Sequence, residues 1–568
     1  MRRLCLLVFS VLLLALTAAV RAVDLGALQR ASDPYDIVIT GGRVIDGMGN
    51  PWFSADIGIR HGRIAAIGPL CGPARASCPA RRTIDASGLY VTPGFIDMLG
   101  QSEITVLVDS RAESKIRQGI TSEITGEGRS VAPQNEKTLP ELQESVAFYG
   151  MQVDWRTLDE YFARFERQSS AINLGTNIGA AQVRKAVLGS ENRPPSPAEL
   201  DQMRALVEQT MQQGALGIST ALIYAPGTYA KTDELIELAK VAARHGGIYS
   251  THLRSEGNGI FSALDEAFRI GREAGLPVQI YHLKVASAPV WGKMGEVAAR
   301  IEQARANGLE VTANMYAYRA GANSLSANLP SWALEGGAEK TLARLRDPAM
   351  RARIKQAMAG RFREYTARDI LISGVSNEKL RGFQGKRLDE IARERGKDAV
   401  EVMFDILVED RLQTGQITFM MQEPDLQRAF IQPWLAFGCD AGAVRPDGVL
   451  GLRRAHPRAY GNFPRLLAQY TRDLHLLPLE QTIRKMTSLP AQIMRIEDRG
   501  VLRPGMWADV TIFDYAKLRD VATYENPNQY SEGIRYVLVN GQLVLDNGTM
   551  TEARPGRPIR GHAWTGAN

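Results

Sequence analysis

Eight short apolar segments of strand-forming composition are spread along the middle of this 568-residue chain. They are YVTPGFID, GITSEIT, INLGTNIG, ALGIST, GGIYSTH, PVQIYH, LEVTANMY and LAFGCD. Helical patterns such as DELIELAKVAARHG and SALDEAFRIGREAG separate most of them, and each ends in the glycine favoured at a helix C-terminus. Strands that alternate with helices form parallel sheets, and eight such units close a (β/α)8, TIM-like barrel. The sequence therefore predicts an α/β fold with a barrel over residues 89–498.

The two ends of the chain show a different pattern. Residues 35–70 and 507–548 alternate apolar and polar residues between glycine-containing turns, which is typical of antiparallel β structure. We expect a small β-sandwich domain built from both termini, residues 23–88 and 499–568. The seventh and eighth barrel segments are about 118 residues apart, much more than an ordinary connection. That stretch predicts a mostly helical insertion at about 325–430.

The first 22 residues have the pattern of a secretory signal. Arg2 and Arg3 precede an apolar run from Leu4 to Val20, and small residues lead to a cleavage point after Ala22. An uncleaved anchor is the alternative, because an apolar run of about 17 residues is only just long enough to span a bilayer. Cleavage removes three arginines and no acids, so the formal charge falls from +6 to +3. We expect a periplasmic or secreted protein without nucleic-acid partners and without membrane contact after cleavage.

The cysteines carry a second indication of the compartment. Cys5 leaves with the signal segment, whereas Cys71 and Cys78 bracket the short loop CGPARASC. In an oxidising compartment these two can form a local disulfide, and two free thiols are the alternative. Cys439 is interpreted as a small buried apolar residue.

Three polar residues end strand segments and are candidates for chemistry. His252 and His282 close GGIYSTH and PVQIYH, thirty residues apart, which is the length of one strand–loop–helix unit, and Asp440 closes LAFGCD. Because the carboxyl ends of barrel strands meet at one mouth, the two imidazoles can converge on one metal ion. The pattern favours a metal-assisted hydrolase; the alternative is two buried histidines that only form hydrogen bonds.

Several longer motifs carry a resemblance to a known family. They are GALGISTALIYAPGTYAKTDEL, GGIYSTHLRSEG, GLPVQIYHLK, VTANMYAYRAGANSLSANLPSWALEGG, HPRAYGNFPR, MTSLPAQ and DRGVLRPGMWADVTIFD. Together they resemble the N-acyl-D-amino-acid deacylases (D-aminoacylases) of the amidohydrolase superfamily, over nearly the whole chain after the signal. The resemblance implies the barrel, the two-ended β domain and the insertion.

The resemblance also implies roles for individual residues. His252 and His282 match the family histidines that bind catalytic zinc, and Asp440 matches the general base. Arg458 offers a two-pronged guanidinium suited to the carboxylate of an amino-acid substrate. The positions that match the family's substrate site are Lys284, Tyr224, Tyr318, Ser324 and Arg458.

This chain departs from the family at two metal-binding elements. A His-x-His pair normally follows the GFID motif, but here GFIDMLGQSE places Leu99 and Gln101 at those positions, so we expect the first of two metal positions to be empty. The family's cysteine ligand corresponds to Glu127 in TGEGRSVAP. That alignment needs a one-residue gap, so Glu123 is the alternative ligand, and Glu103 is a weaker one.

We therefore expect one zinc ion per chain, with other divalent metals as alternatives, held by Glu127, His252 and His282. The resemblance implies a metal-dependent amidohydrolase acting on small-molecule N-acyl-D-amino acids or similar peptidic substrates, and the signal pattern predicts that it is exported. A dipeptidase for D-residues and an amino-sugar deacetylase are alternatives, and so is a barrel that binds a ligand without turnover. His456 is predicted to orient a loop, and Asn314 stands where relatives often carry aspartate.

Overall fold

A computed structural model of the protein describes residues 34–72, 78–360 and 366–566. The predicted signal segment, residues 1–22, lies outside the described residues. Within the described ranges, no helix combines the length and the apolar character needed to cross a bilayer.

The strands are numbered in chain order. They are β1 Tyr35–Val44, β2 Phe53–Arg60, β3 Arg63–Gly68, β4 Ala80–Asp85, β5 Tyr90–Pro93, β6 Phe95–Asp97, β7 Ile120–Thr125, β8 Asn173–Thr176, β9 Ile178–Gly179, β10 Gly217–Ala221, β11 Ile248–His252, β12 Val278–Ile280, β13 Val311–Met315, β14 Ala320–Ser324, β15 Ile370–Gly374, β16 Gly415–Phe419, β17 Leu435–Phe437, β18 Val510–Phe513, β19 Ile534–Val539, β20 Gln542–Asp546 and β21 Thr549–Met550.

The helices lie mainly between the barrel strands and in the insertion. They are Thr105–Val108, Glu113–Ile116, Leu139–Ala147, Leu158–Gln168, Ala180–Leu188, Pro197–Gln212, Thr232–Arg244, Ile260–Ala274, Met294–Ala306, Ala338–Arg346, Pro348–Met358, Leu388–Arg395, Ala399–Glu409, Glu423–Phe430, Gly448–Gly451, Arg458–Arg465 with its π-helical continuation Leu466–Asp473, Leu479–Met486 and Ser488–Ile493.

Each of the eight predicted segments contributes a strand to the barrel. Strands β6, β7 and β8 pair in parallel, and so do β9 to β13 and β17. The segment INLGTNIG is one barrel position interrupted at Asn177, whose N–H donates to the carbonyl of Thr125 at 3.0 Å. The ring closes between β17 and β6, where Met98 N–H donates to Phe437 O and Gly100 bridges Ala441.

Strands from both ends of the chain form the small β domain around an apolar cluster of their own. Strands β1 to β5 and β18 to β21 belong to one nine-stranded sheet, as the sequence pattern predicts. The predicted boundary at residue 88 is wrong by a few residues, because β5 pairs with β1 and β18 and the barrel begins only at Phe95. YVTPGFID is therefore two strands. The chain passes between the sheets at Gly94, where a Cβ would overlap Thr121.

The insertion differs from the mostly helical segment that was expected. It runs from β14 to β16, includes the antiparallel sheet β14-β16-β15, and encloses a separate apolar core. The helix Glu423–Phe430 lies within the predicted insertion but packs against the barrel helix Met294–Ala306, so it belongs to the barrel. The strands ILISG and GQITF are only five residues long and lie between helical patterns, which is why periodicity did not reveal them.

The two cysteines that bracket the loop at residues 71–78 form a disulfide. Cys439 is free and buried, in agreement with its interpretation as an apolar residue.

Candidate metal and catalytic site

Glu127, His252 and His282 converge at the carboxyl ends of neighbouring barrel strands. His252 ends β11, His282 lies two residues beyond β12, and Glu127 lies two residues beyond β7. Glu127 Oε1 is 2.9 Å from His252 Nδ1 and 3.0 Å from His282 Nε2. Their three ligand atoms all lie within 4.8 Å of one another, the only such metal-capable group among the described residues. The structure thus brings together the three predicted ligands.

The chemistry of this donor set fits a zinc ion. One carboxylate and two imidazoles are ligand types of catalytic zinc, which leaves a fourth position open for water or substrate. Burial alone would raise the pKa of Glu127, but the two imidazoles hold it well below its usual range, so the carboxylate is an anion. A divalent cation would bind between the buried Glu127 carboxylate and the imidazole nitrogens of His252 and His282.

Glu256 lies behind the two histidines and was not singled out from the sequence. Its Oε1 is 2.9 Å from His282 Nδ1, and its Oε2 is 3.7 Å from His252 Nε2. Lys284 Nζ lies 2.5 Å from Glu256 and 2.7 Å from His282 Nδ1. Burial and Lys284 lower the pKa of His282, but the two glutamates raise it to about 9. Carboxylates that hold the outer nitrogen of a ligating histidine fix the orientation of its ring.

Asp440 follows β17 in a left-handed backbone conformation, with φ of 51°. Hydrogen bonds hold this segment from both sides: Asp440 N–H donates to Leu99 O at 2.7 Å, and Cys439 N–H donates to Asp97 Oδ1 at 2.8 Å. On the other side, Lys115 Nζ donates to the carbonyl of Ala441 at 2.7 Å. These bonds fix the carboxylate of Asp440 at the mouth.

Two side chains contact the carboxylate of Asp440. Arg458 Nη2 lies 2.8 Å from its Oδ2, and Gln101 Nε2 lies 3.4 Å from its Oδ1. Burial raises the pKa of Asp440, an effect that Arg458 opposes. A carboxylate with a raised pKa is a stronger base than an ordinary aspartate.

The position of the missing His-x-His pair is occupied by other groups. Leu99 is a buried apolar side chain, and Gln101 Nε2 donates to Glu127 Oε2 at 2.7 Å as well as approaching Asp440. The alternative ligand Glu123 does not face the histidines, because it is fully buried and bound to Ser102 and Lys115. The choice between Glu127 and Glu123 therefore falls on Glu127.

Glu103, the weakest of the ligand candidates, lines the cavity that opens over the site and does not belong to the metal-capable group. Its Oε2 is buried without a hydrogen-bond partner among the described residues. Burial raises the pKa of this carboxyl to about 7.

A cavity of about 880 Å³, the reaction cavity, opens over the site between the barrel mouth and the insertion. Four of the five predicted substrate residues line it: Tyr224, Lys284, Ser324 and Arg458. The fifth, Tyr318, is not in its lining, and its hydroxyl donates to Asp520 Oδ2 at 2.8 Å. Tyr316 takes that place, with its ring 4.4 Å from the Arg458 guanidinium. Strand β13 ends at Met315, so strand alternation does not orient the residues that follow.

His456 and Asn314 support the site through the backbone. His456 Nδ1 accepts the N–H of Arg458 at 3.0 Å, while its Nε2 lies 3.0 Å from the carbonyl of Ala320. This contact agrees with the loop-orienting role predicted for His456, whose pKa is held well below its usual range by burial. Asn314 Oδ1 accepts the N–H of His282 at 2.7 Å.

Comparison with known proteins identifies the family. Residues 82–545 of the sequence match the amidohydrolase family. The D-aminoacylase of Alcaligenes xylosoxydans xylosoxydans is 36% identical over 532 residues, 94% of this chain and 99% of that protein. The N-acyl-D-glutamate deacylase of the same organism is 34% identical, over 93% of this chain and 97% of that protein.

Solved structures agree with these relatives. A D-aminoacylase with a binuclear metal centre, described as activated by one metal and attenuated by the second, superposes with a TM-score of 0.77 at 34% identity. The N-acyl-D-glutamate deacylase of Bordetella bronchiseptica, bound to zinc and a phosphonate mimic of the tetrahedral intermediate, gives 0.77 at 33% identity. Both alignments cover 93% of this chain and all of the other. The chain therefore belongs to the amidohydrolase family, and it is a hydrolase of carbon–nitrogen bonds other than peptide bonds.

Proposed function

We propose that the protein is an exported N-acyl-D-amino-acid deacylase that holds one zinc ion per chain. The observation that carries this proposal is the convergence of Glu127, His252 and His282 beside Asp440 and Arg458 in one cavity. The D-aminoacylase and the N-acyl-D-glutamate deacylase of Alcaligenes xylosoxydans xylosoxydans, which this chain resembles over nearly their whole length, support the substrate class and its D configuration.

The zinc ion would be held by Glu127, His252 and His282. When bound, zinc lowers the pKa of water toward about 7 and polarises a carbonyl group as a Lewis acid. Glu256 keeps the ring of His282 in place from behind, through the contact with Nδ1.

In this proposal Asp440 transfers protons and Arg458 binds the carboxylate of the substrate. Oδ2 of Asp440 is engaged by Arg458, so Oδ1 is the freer oxygen to accept the proton of the attacking water and to deliver it to the departing amine. Arg458 is buried, and its Nε and Nη1 have no hydrogen-bond partner among the described residues. These free donors suit the carboxylate of an amino-acid substrate.

The side chains at the neighbouring metal position support a single ion per chain. Leu99 offers no donor atom, and Gln101 presents its amide nitrogen, a hydrogen-bond donor, to Glu127 and Asp440. An N–H donor cannot ligate a metal while it makes these bonds.

Two features support export. The first is the signal-like pattern of residues 1–22. The second is the disulfide between Cys71 and Cys78, because disulfides persist in oxidising compartments and are rare in the cytosol.

The test combines metal analysis with a substrate panel. We expect about one zinc per chain in the wild type and much less in Glu127→Ala, whereas the control Glu123→Gln keeps its zinc because Glu123 lies outside the cluster. Among paired N-acetyl-D- and N-acetyl-L-amino acids, only the D-forms should be hydrolysed efficiently. Two zinc ions per chain, or equal metal content in Glu127→Ala and wild type, would contradict the site; hydrolysis of the L-forms alone would contradict the substrate.

A further inference from the structure

A second cavity, of about 360 Å³, lies against the reaction cavity. The two share a wall made of Asn323, Ser324, Leu412 and Gln413. Its far side is formed by the segment that leads to His456 and includes Arg453 and Arg454. None of the catalytic or metal-binding groups described above requires this cavity.

The charges around this second cavity have one sign. Both arginines line it, and no aspartate or glutamate does so in the described part of the chain. Neither Arg453 nor Arg454 forms an ion pair with a carboxylate among the described residues. The other polar lining atoms belong to neutral side chains such as Ser373 and Thr414. A concave site with two unpaired guanidinium groups and no carboxylate favours an anion.

Arg453 is held in place before any ligand arrives. Its guanidinium stacks over the ring of Phe148 at 4.4 Å, and its Nη2 donates to Ser376 Oγ. Its Nε is buried without a hydrogen-bond partner among the described residues. A buried N–H donor that lacks a partner carries a desolvation cost, which a bound anionic oxygen would offset.

We propose that this second cavity is a binding site for a small carboxylate- or phosphate-bearing anion. The anion has two possible sources: a distal carboxylate on the acyl group of an extended substrate, or a free anion. The first source rests on the proposed deacylase function. It requires a substrate that is bound in the reaction cavity and whose acyl group extends past Ser324 into the second cavity. A free anion in the second cavity would instead be independent of turnover.

The experiment compares the wild type with the double variant Arg453→Gln/Arg454→Gln. The control is Arg503→Gln, which removes an exposed arginine of the small β domain. Isothermal titration calorimetry with inorganic phosphate and with succinate measures binding directly in the metal-loaded protein. Steady-state kinetics compares N-succinyl-D-leucine with N-butanoyl-D-leucine, two substrates that differ by a distal carboxylate in place of a methyl group.

If the distal carboxylate is the ligand, the wild type should favour the succinyl substrate by about tenfold in kcat/KM, the size of one charge-assisted hydrogen bond. The double variant should lose this preference while its activity on the butanoyl substrate is unchanged. If a free anion is the ligand, phosphate or succinate should bind the wild type at least about tenfold more tightly than the double variant, without a succinyl preference.

The proposal is overturned if the wild type and the double variant bind both anions equally and share the same substrate ratio. It is also overturned if Arg503→Gln has the same effect as the double variant. Failure of the deacylase function is distinguishable, because neither leucine derivative would then be hydrolysed, whereas the calorimetric comparison would still decide whether the anion site exists.

Discussion

Lys115 is a buried cation that holds the backbone beside Asp440, the proposed general base. Its Nζ lies 2.7 Å from Asp97 Oδ2, 3.2 Å from Glu123 Oε2 and 2.7 Å from the carbonyl of Ala441. The side chains of Lys115, Asp97 and Glu123 have no exposed surface. Burial lowers the pKa of Lys115, but the two carboxylates raise it above its usual value, so the ammonium keeps its charge over the whole accessible pH range. We predict that Lys115→Met both destabilises the protein and slows the reaction.

The size of the stability loss follows from the groups left behind. Methionine fills the space of the lysine stem, but Asp97 and Glu123 become two buried carboxylates without a cation, and breaking a buried ion pair in this way costs about 3–5 kcal/mol. A second substitution tests this reasoning. Glu123→Gln removes one of the unpaired charges, so we expect Lys115→Met/Glu123→Gln to recover about 1–2 kcal/mol of unfolding free energy.

Urea denaturation followed by tryptophan fluorescence measures these differences. The matched control is Lys240→Met, because Lys240 makes an exposed ion pair with Glu237, and such a pair contributes at most about 1 kcal/mol. In the kinetics, loss of the contact with Ala441 should lower kcat much more than it raises KM. A Lys115→Met protein within about 1 kcal/mol of wild type, or no recovery in the double variant, would contradict this role of Lys115.

Three further predictions concern the site. Asp440→Asn should lower kcat about 10²–10⁴-fold; because burial raises the pKa of Asp440 and the base must be deprotonated, wild-type kcat/KM should fall with decreasing pH at a midpoint above 3.8. Glu103→Gln should raise the unfolding free energy by about 3 kcal/mol at pH 8 but not at pH 4. The folded-state pKa of about 7 exceeds the usual 4.5, so the ionised carboxyl destabilises the fold increasingly as the pH rises from 4.5 to 7; an equal change in unfolding free energy at both pH values would contradict this. Tyr316→Leu should raise KM a few-fold by removing the ring beneath Arg458, whereas Tyr318→Phe should cost about 1 kcal/mol of stability and leave KM unchanged.

Much of the barrel could be predicted from the sequence because its strands are apolar runs bounded by turns and helices. Each of the eight segments contributes a strand to the barrel, and the helices Thr232–Arg244 and Ile260–Ala274 lie where their patterns predict them. The division of YVTPGFID into two strands of different sheets could not be predicted, because it depends on the close approach of Thr121 to Gly94. No local sequence pattern predicts that contact.

The site was predictable in part for similar reasons. The three proposed metal ligands lie at or just after strand ends, and the positions of strand ends are visible in the sequence. Glu127, however, was reached only through the family resemblance. Glu256 has no such marker: it lies four residues after His252 in THLRSEG, in a loop whose path brings it behind both histidines. The exchange of Tyr318 for Tyr316 likewise depends on a turn after β13, which the pattern VTANMYAY does not show.

The residues around the position of the missing His-x-His pair pack against one another and share hydrogen bonds, so the departure from the family involves more than the loss of two metal ligands. A Cβ at Gly100 would overlap the carboxylate of Glu123, so residue 100 has to be glycine as long as Glu123 occupies this space. Glu123 in turn accepts hydrogen bonds from Ser102 and lies beside Lys115, the cation that holds the backbone next to Asp440. Histidines restored at positions 99 and 101 would therefore meet a packed and hydrogen-bonded neighbourhood, in which the amide of Gln101 already links Glu127 with Asp440. In the proposed single-ion site, this interdependence holds Asp440, the proposed base, in position without a second metal ion.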